Sequence, residues 1–133
     1  MIKVDEIIAK YVGVPFKHNG RTLAGGLDCL GLIHCLYADL GIEFPTDDGA
    51  PIRADWYKTD PERYLRNLLE LGVPADTPQK LDLVYFYIQG QVRHAGIMVD
   101  ERRFIHTLID RNSRITNLAR YWKTSLAGIR RFI

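Results

Sequence analysis

The chain has 133 residues, 47% of them hydrophobic and 26% charged, with a formal net charge of +2. That length suits one compact domain, residues 1–133, with a core of its own, and the composition is that of an ordinary soluble globular protein. A charge so close to balance gives no basic stripe for nucleic acid, and the doublets Arg102-Arg103 and Arg130-Arg131 read as solvated surface.

The N-terminal Met1-Ile2-Lys3-Val4-Asp5-Glu6 carries charges where a signal peptide needs an apolar stretch. No segment is long and apolar enough to span a membrane, so the expectation is a chain made and folded in the cytoplasm without membrane insertion. Asp5–Tyr11 reads as a short amphipathic helix with Val4, Ile7, Ile8 and Tyr11 on one face, ended by Gly13-Val14-Pro15. Phe16–Leu27 is glycine-rich and reads as a loop. Cys29–Leu40 is the central helix, with Leu32, Ile33, Leu36 and Leu40 at core spacing and Gly41 placed to stop it. Glu43–Tyr57 is irregular. Asp60-Pro61-Glu62 starts a second helix with Tyr64, Leu65, Leu68 and Leu69 on one face, and Gly72-Val73-Pro74 stops it.

From Asp82 the period changes to that of strands. Asp82–Ile88, Gln91–Val99, Arg103–Ile109 and Arg114–Leu118 are rich in Val, Ile, Tyr and Phe, with turns at Gly90 and Asp100-Glu101. Ala119–Lys123 reads as a helical turn and Gly128–Ile133 as a closing strand. Helices first and strands second imply an α+β fold, with N-terminal helices packed on a central antiparallel sheet.

Cys29 follows Gly25-Gly26-Leu27-Asp28 and opens the central helix, where backbone N–H groups favour a thiolate. Cys35, six residues on, points to a different face and reads as a small buried apolar residue. Two cysteines this close are no disulfide framework, and paired metal-ligand spacing is missing, so no metal site and no cofactor are expected. Downstream stand His94 and His106. If their strands form a hairpin turning near Asp100-Glu101, the histidines lie directly opposite with a register centred on Asp100. They lie diagonally with a register centred on Glu101, and a one-residue slip separates them. In the chemical reading His94 takes the Cys29 proton and His106 holds the His94 ring, while an imidazolium beside the thiol lowers the cysteine pKa. His18 reads as an exposed loop residue, and His34 as a helix-surface or partly buried one that faces away from the thiol.

Five segments carry a resemblance. Tyr11-Val12-Gly13-Val14-Pro15-Phe16, Gly26-Leu27-Asp28-Cys29-Leu30-Gly31, Lys80-Leu81-Asp82-Leu83-Val84-Tyr85-Phe86, His94-Ala95-Gly96-Ile97-Met98-Val99 and Phe104-Ile105-His106-Thr107 occur in the order of the motifs of the NlpC/P60 family of papain-like cysteine peptidases. The chain resembles that family from Tyr11 to about Thr107. The resemblance implies a sheet packed on a helix whose N-terminus presents Cys29 as nucleophile, with His94 as base and His106 as third polar residue. It implies a peptidoglycan peptide substrate, cut next to D-γ-glutamyl. Asp28-Cys29-Leu30-Gly31-Leu32 and the insert Thr46–Pro78 look most like phage tail-associated members, which adds phage tail proteins as expected partners and a virion or lysis-released setting. Asp28, Phe16 and Arg93 are the expected substrate contacts, with Arg21 and Arg53 as alternatives to Arg93 for holding a substrate carboxylate, and Trp56 and Tyr57 read equally as shaping the groove or as core.

Three positions depart from the family pattern. Leu30 stands where many members have serine, Lys80-Leu81 where a glycine precedes the Asp-Leu-Val strand, and Phe16 where many have a tyrosine whose hydroxyl helps at the oxyanion. Losing one oxyanion donor costs about a hundredfold in rate. The rival readings are a weak or inactive wall- or tail-binding module of the same fold, and an amidase or acyltransferase acting on another substrate.

Overall fold

The computed structural model describes residues 4–18, 20–42, 44, 71–109 and 111–132. The expected helix from Asp60, most of the Thr46–Pro78 insert, and Trp56 and Tyr57 lie outside them.

Helix α1 spans Val4–Lys10, with Asp5 and Glu6 in its first turn and Lys10 in its last, the order that complements the helix dipole. Ile7, Ile8 and Tyr11 are buried. The chain leaving α1 is clasped by Ser113. The Ser113 hydroxyl donates to the Tyr11 carbonyl and accepts from the Val14 N–H, while its own N–H donates to the Val14 carbonyl.

The glycine-rich stretch expected as a loop holds a small antiparallel hairpin, β1 (Arg21–Thr22) and β2 (Gly26–Leu27). Its strands are two residues long, too short for a periodicity to register. Helix α2 follows at Cys29–Asp39, with Leu32, Ile33, Leu36 and Tyr37 buried. Gly31 stands in its first turn because the Gly20 carbonyl lies where a β-carbon would be. The Gly31→Ala variant gains about 1 kcal/mol of helix propensity but drives a methyl into backbone. A net loss of about 2 kcal/mol is expected in urea denaturation, and an unchanged midpoint would contradict it.

The remaining elements are β3 (Val73–Pro74), β4 (Leu83–Ile88), β5 (Gln91–Met98), β6 (Arg103–His106), β7 (Arg114–Asn117), α3 (Tyr121–Ser125) and β8 (Leu126–Arg131). The strands form one six-stranded antiparallel sheet in the order β3-β8-β4-β5-β6-β7. Strand β6 ends three residues earlier than its apolar run suggests, and β8 starts two residues earlier. Strand β3, read from sequence only as a helix stop, forms the edge beside β8.

The sheet has two apolar faces. Leu83, Tyr85, Ala95, Ile97 and Ile105 pack with the buried residues of α1 and α2. Val84, Phe86, Met98, Phe104 and Ile129 form the other face, covered by Trp122, Leu118, Leu126 and Ala75. The C-terminal segment therefore supplies the second layer that α1 and α2 do not.

Two details differ from the sequence reading. The Arg130-Arg131 doublet is not a solvated surface. Arg130 is buried and donates to the Leu71 and Gly72 carbonyls, while Arg131 makes a bidentate pair with buried Asp82 at 2.9 and 2.8 Å. Leu81, at the position of the family's glycine, has φ 74°, the left-handed region that favours glycine. Its N–H donates to the Met98 carbonyl and its carbonyl accepts from the Tyr37 hydroxyl, so two tertiary hydrogen bonds hold the strained residue.

Candidate active site

Asp28 is extended (φ −90°, ψ −176°) and caps α2, its Oδ1 accepting from the Gly31 N–H at 2.8 Å. The cap fixes where the chain turns into the helix, and the next residue is Cys29, half-buried against the helix-side core. Helix α2 packs on β5, the strand that carries His94. Asp28→Ala is expected to cost about 1 kcal/mol through loss of the cap, and Asp28→Asn, which keeps an acceptor, to cost much less. Equal urea midpoints for the two variants would contradict the capping role.

The two histidines meet. Ile97 pairs with Ile105 and Met98 with Phe104, a register centred on Glu101, so His94 and His106 are diagonal neighbours. His94 Nε2 lies 2.8 Å from His106 Nδ1, and His106 Nε2 lies 2.9 Å from Thr116 Oγ1 on β7. His94 is 4% exposed and His106 1%. Around them stand Phe86, Phe104 and Trp122, with the Trp122 ring 5.2 Å from that of His94 and 4.9 Å from that of His106.

A β-bulge lies next to His94. Phe86 pairs with His94 but Tyr87 with Val92, so Arg93 is an extra residue in β5. Val92 belongs to the helix-side core, whereas His94 joins the aromatic cluster on the other face, although strict alternation puts residues two apart on one face. Gly96 serves the same contact from the side. A β-carbon there would meet the Ile105 carbonyl, the Phe104 ring and the His106 β-carbon, so glycine lets β6 bring His106 close.

Burial pushes the His94 imidazole down to about 3, with the neighbouring His106 adding to the shift. Burial also lowers His106, to about 4, with Arg114 contributing. Both rings are therefore neutral near pH 7. This corrects the expected imidazolium beside the thiol: a ring enclosed by three aromatics lacks the water that would stabilise its charge.

Of the other expected residues, Phe16 is half-buried and bridges to Leu27. Arg93 is the bulge residue, and its guanidinium donates to the Gln91 and Gln89 side-chain carbonyls at 3.1 and 3.0 Å. Leu30 packs against the helix-side core. His18 is exposed, and His34 Nδ1 lies 2.8 Å from the Phe44 carbonyl oxygen. Among the described residues no group of three or more His, Cys, Asp or Glu side chains could hold a metal ion, and no helix is long and apolar enough to cross a membrane.

Sequence reasoning missed Thr116 and Trp122. Thr116 follows Arg114 at the next same-face position of a strand whose pairing with β6 depends on how many residues separate the two strands, a spacing that carries no register signal of its own. Trp122 comes from a five-residue helix with no side-chain N-cap hydrogen bond.

A six-stranded antiparallel sheet, with a helix on one face that presents a cysteine at its N-terminus, is the α+β arrangement of the papain-like kind. The NlpC/P60 family model matches residues 13–131, and the chain belongs to that family. It is 33% identical over 136 residues to the gamma-DL-glutamyl hydrolase of Bacillus subtilis (strain 168), covering 98% of this chain and 29% of that protein. It is 28% identical over 137 residues to the murein DD-endopeptidase MepH of Escherichia coli (strain K12), covering 93% of this chain and 43% of that protein. The chain thus spans less than half the length of either relative. The crystal structure of an NlpC/P60 family protein from Bacillus cereus ATCC 10987 superposes with a TM-score of 0.72 at 26% identity, over 98% of this chain and 40% of that one.

Proposed function

We propose that the protein is a cysteine hydrolase that cuts amide bonds in bacterial cell-wall peptides, next to a D-γ-glutamyl residue. The observation that carries the reading is the buried His94–His106 hydrogen bond at 2.8 Å on a strand packed against the helix that begins at Cys29. The names of the two curated relatives, a gamma-DL-glutamyl hydrolase and a murein endopeptidase, support the substrate class.

In this reading the Cys29 Sγ attacks the amide carbonyl carbon and its proton passes to His94 Nδ1. The first turn of α2 places positive potential near the developing oxyanion. The tetrahedral species collapses, the C–N bond breaks, and His94 returns the proton to the leaving nitrogen. Water then attacks the thioester and gives a proton to His94, the C–S bond breaks, and Cys29 recovers its proton as the acid leaves. In this reading Phe16 and Asp28 contact the substrate. The tail-associated setting is the narrower proposal and rests on the Asp28–Leu32 segment and the long insert.

The test is digestion of defined muropeptides with fragment masses read by mass spectrometry. New termini at D-γ-glutamyl are expected. Cleavage at other bonds alone would replace the proposed bond, and no cleavage at all would favour the binding-module rival, for which Phe16 and Leu30 speak.

A further inference from the structure

His94, His106 and Thr116 form one chain of hydrogen bonds across three neighbouring strands, β5, β6 and β7. A neutral imidazole carries one N–H and one lone pair, so the two rings share only two concerted arrangements. In one, His94 Nε2–H donates to His106 Nδ1 and His106 Nε2–H donates to Thr116 Oγ1. In the other every donor is reversed, and His94 carries its proton on Nδ1. Among the described residues His94 Nδ1 has no hydrogen-bond partner, so the second arrangement buries an N–H without an acceptor, whereas the first buries only a lone pair. Orphaned buried donors are the rarer and costlier defect.

We propose that Thr116 is a positioning residue of the hydrolytic site: its hydroxyl accepts from His106 Nε2–H and so lets both rings adopt, with every ring N–H satisfied, the tautomers that leave His94 Nδ1 a base. The proposal rests on the cysteine-hydrolase reading, because only that chemistry needs a lone pair at Nδ1. Its surroundings suit the task. Phe86, Phe104 and Trp122 keep water from competing for the ring-to-ring bond, and Arg114, paired across from His106, disfavours a second proton on that ring. Thr116 is half-buried, so its hydroxyl hydrogen can turn to solvent once its oxygen accepts.

The test is nitrogen-15 NMR of the ring nitrogens at neutral pH, joined to steady-state kinetics, for wild type, Thr116→Ser and Thr116→Val. Wild type and the serine variant are expected to protonate both rings at Nε2. In Thr116→Val either arrangement leaves one ring N–H without an acceptor, so the preference should be lost and Nδ1-protonated rings should appear beside Nε2-protonated ones. The kcat of Thr116→Val should fall about tenfold with KM little changed, the size of one lost hydrogen bond, and serine should restore it. A wild-type His94 protonated at Nδ1, or tautomers unmoved in Thr116→Val, would overturn the proposal. If wild type turns over no wall peptide, the hydrolase reading fails, while the ring nitrogens still decide whether Thr116 sets the tautomers.

Discussion

Cys29→Ala is expected to lower kcat on a susceptible wall peptide by about ten-thousandfold or more, with little change in folding. Removing a nucleophile removes the covalent route, and what remains is the catalysis that binding and oriented dipoles give to water. Cys29 is half-buried at the first helical position, so losing its sulfur opens little cavity. Cys29→Ser keeps an attacking atom but one whose proton is held far more tightly. Its partner is a neutral His94 whose burial disfavours accepting a proton, so the serine variant should be nearly as slow. The check is initial rates for the three proteins beside their urea midpoints. An alanine variant within about tenfold of wild type would exclude Cys29 as nucleophile.

His94→Gln carries the second large effect, and it divides function from stability. As general base and acid His94 should be worth about a thousandfold in kcat. Its effect on stability depends on pH, and the sign follows from the folded value. His94 and His106 are lowered to about 3 and about 4 from an ordinary 6.5, so below pH 6.5 the unfolded chain takes up protons that the folded chain refuses. The stability they contribute is complete above pH 6.5 and is lost as pH falls toward the folded values. Each ring contributes a slope of roughly 1 kcal/mol per pH unit in that window. Wild type should lose stability between pH 7.5 and 5.5, and His94→Gln should lose about half as much over the same range. Parallel profiles for the two proteins would mean that His94 is not held neutral by burial.

The helix bearing Cys29 was legible because Leu32, Ile33 and Leu36 repeat at core spacing behind Asp28, a residue that caps. The strands were legible because Val, Ile, Tyr and Phe crowd them between turn residues. The hairpin joining β5 to β6 left two allowed registers, and the structure adopts the one centred on Glu101. What the sequence could not show was the bulge at Arg93, since an extra residue in one strand leaves composition nearly unchanged while putting Val92 and His94, two residues apart, on opposite faces. The charge state of the pair was also hidden. It follows from Phe86, Phe104 and Trp122 closing over two rings, and Trp122 arrives from a segment beyond the recognised motifs. The fate of Arg130 and Arg131 was missed for a similar reason, because their partners at Leu71, Gly72 and Asp82 lie about 50 or more residues away.

A thioester on Cys29 is the centre of the account, and hydroxylamine partitioning tests it most directly. A susceptible peptide is turned over with hydroxylamine present, and the acyl products are separated by mass. The account predicts that wild type forms acyl hydroxamate in competition with free acid, and that Cys29→Ala forms neither. Free acid alone at every hydroxylamine concentration, or hydroxamate from Cys29→Ala at the wild-type rate, would contradict a covalent intermediate on Cys29.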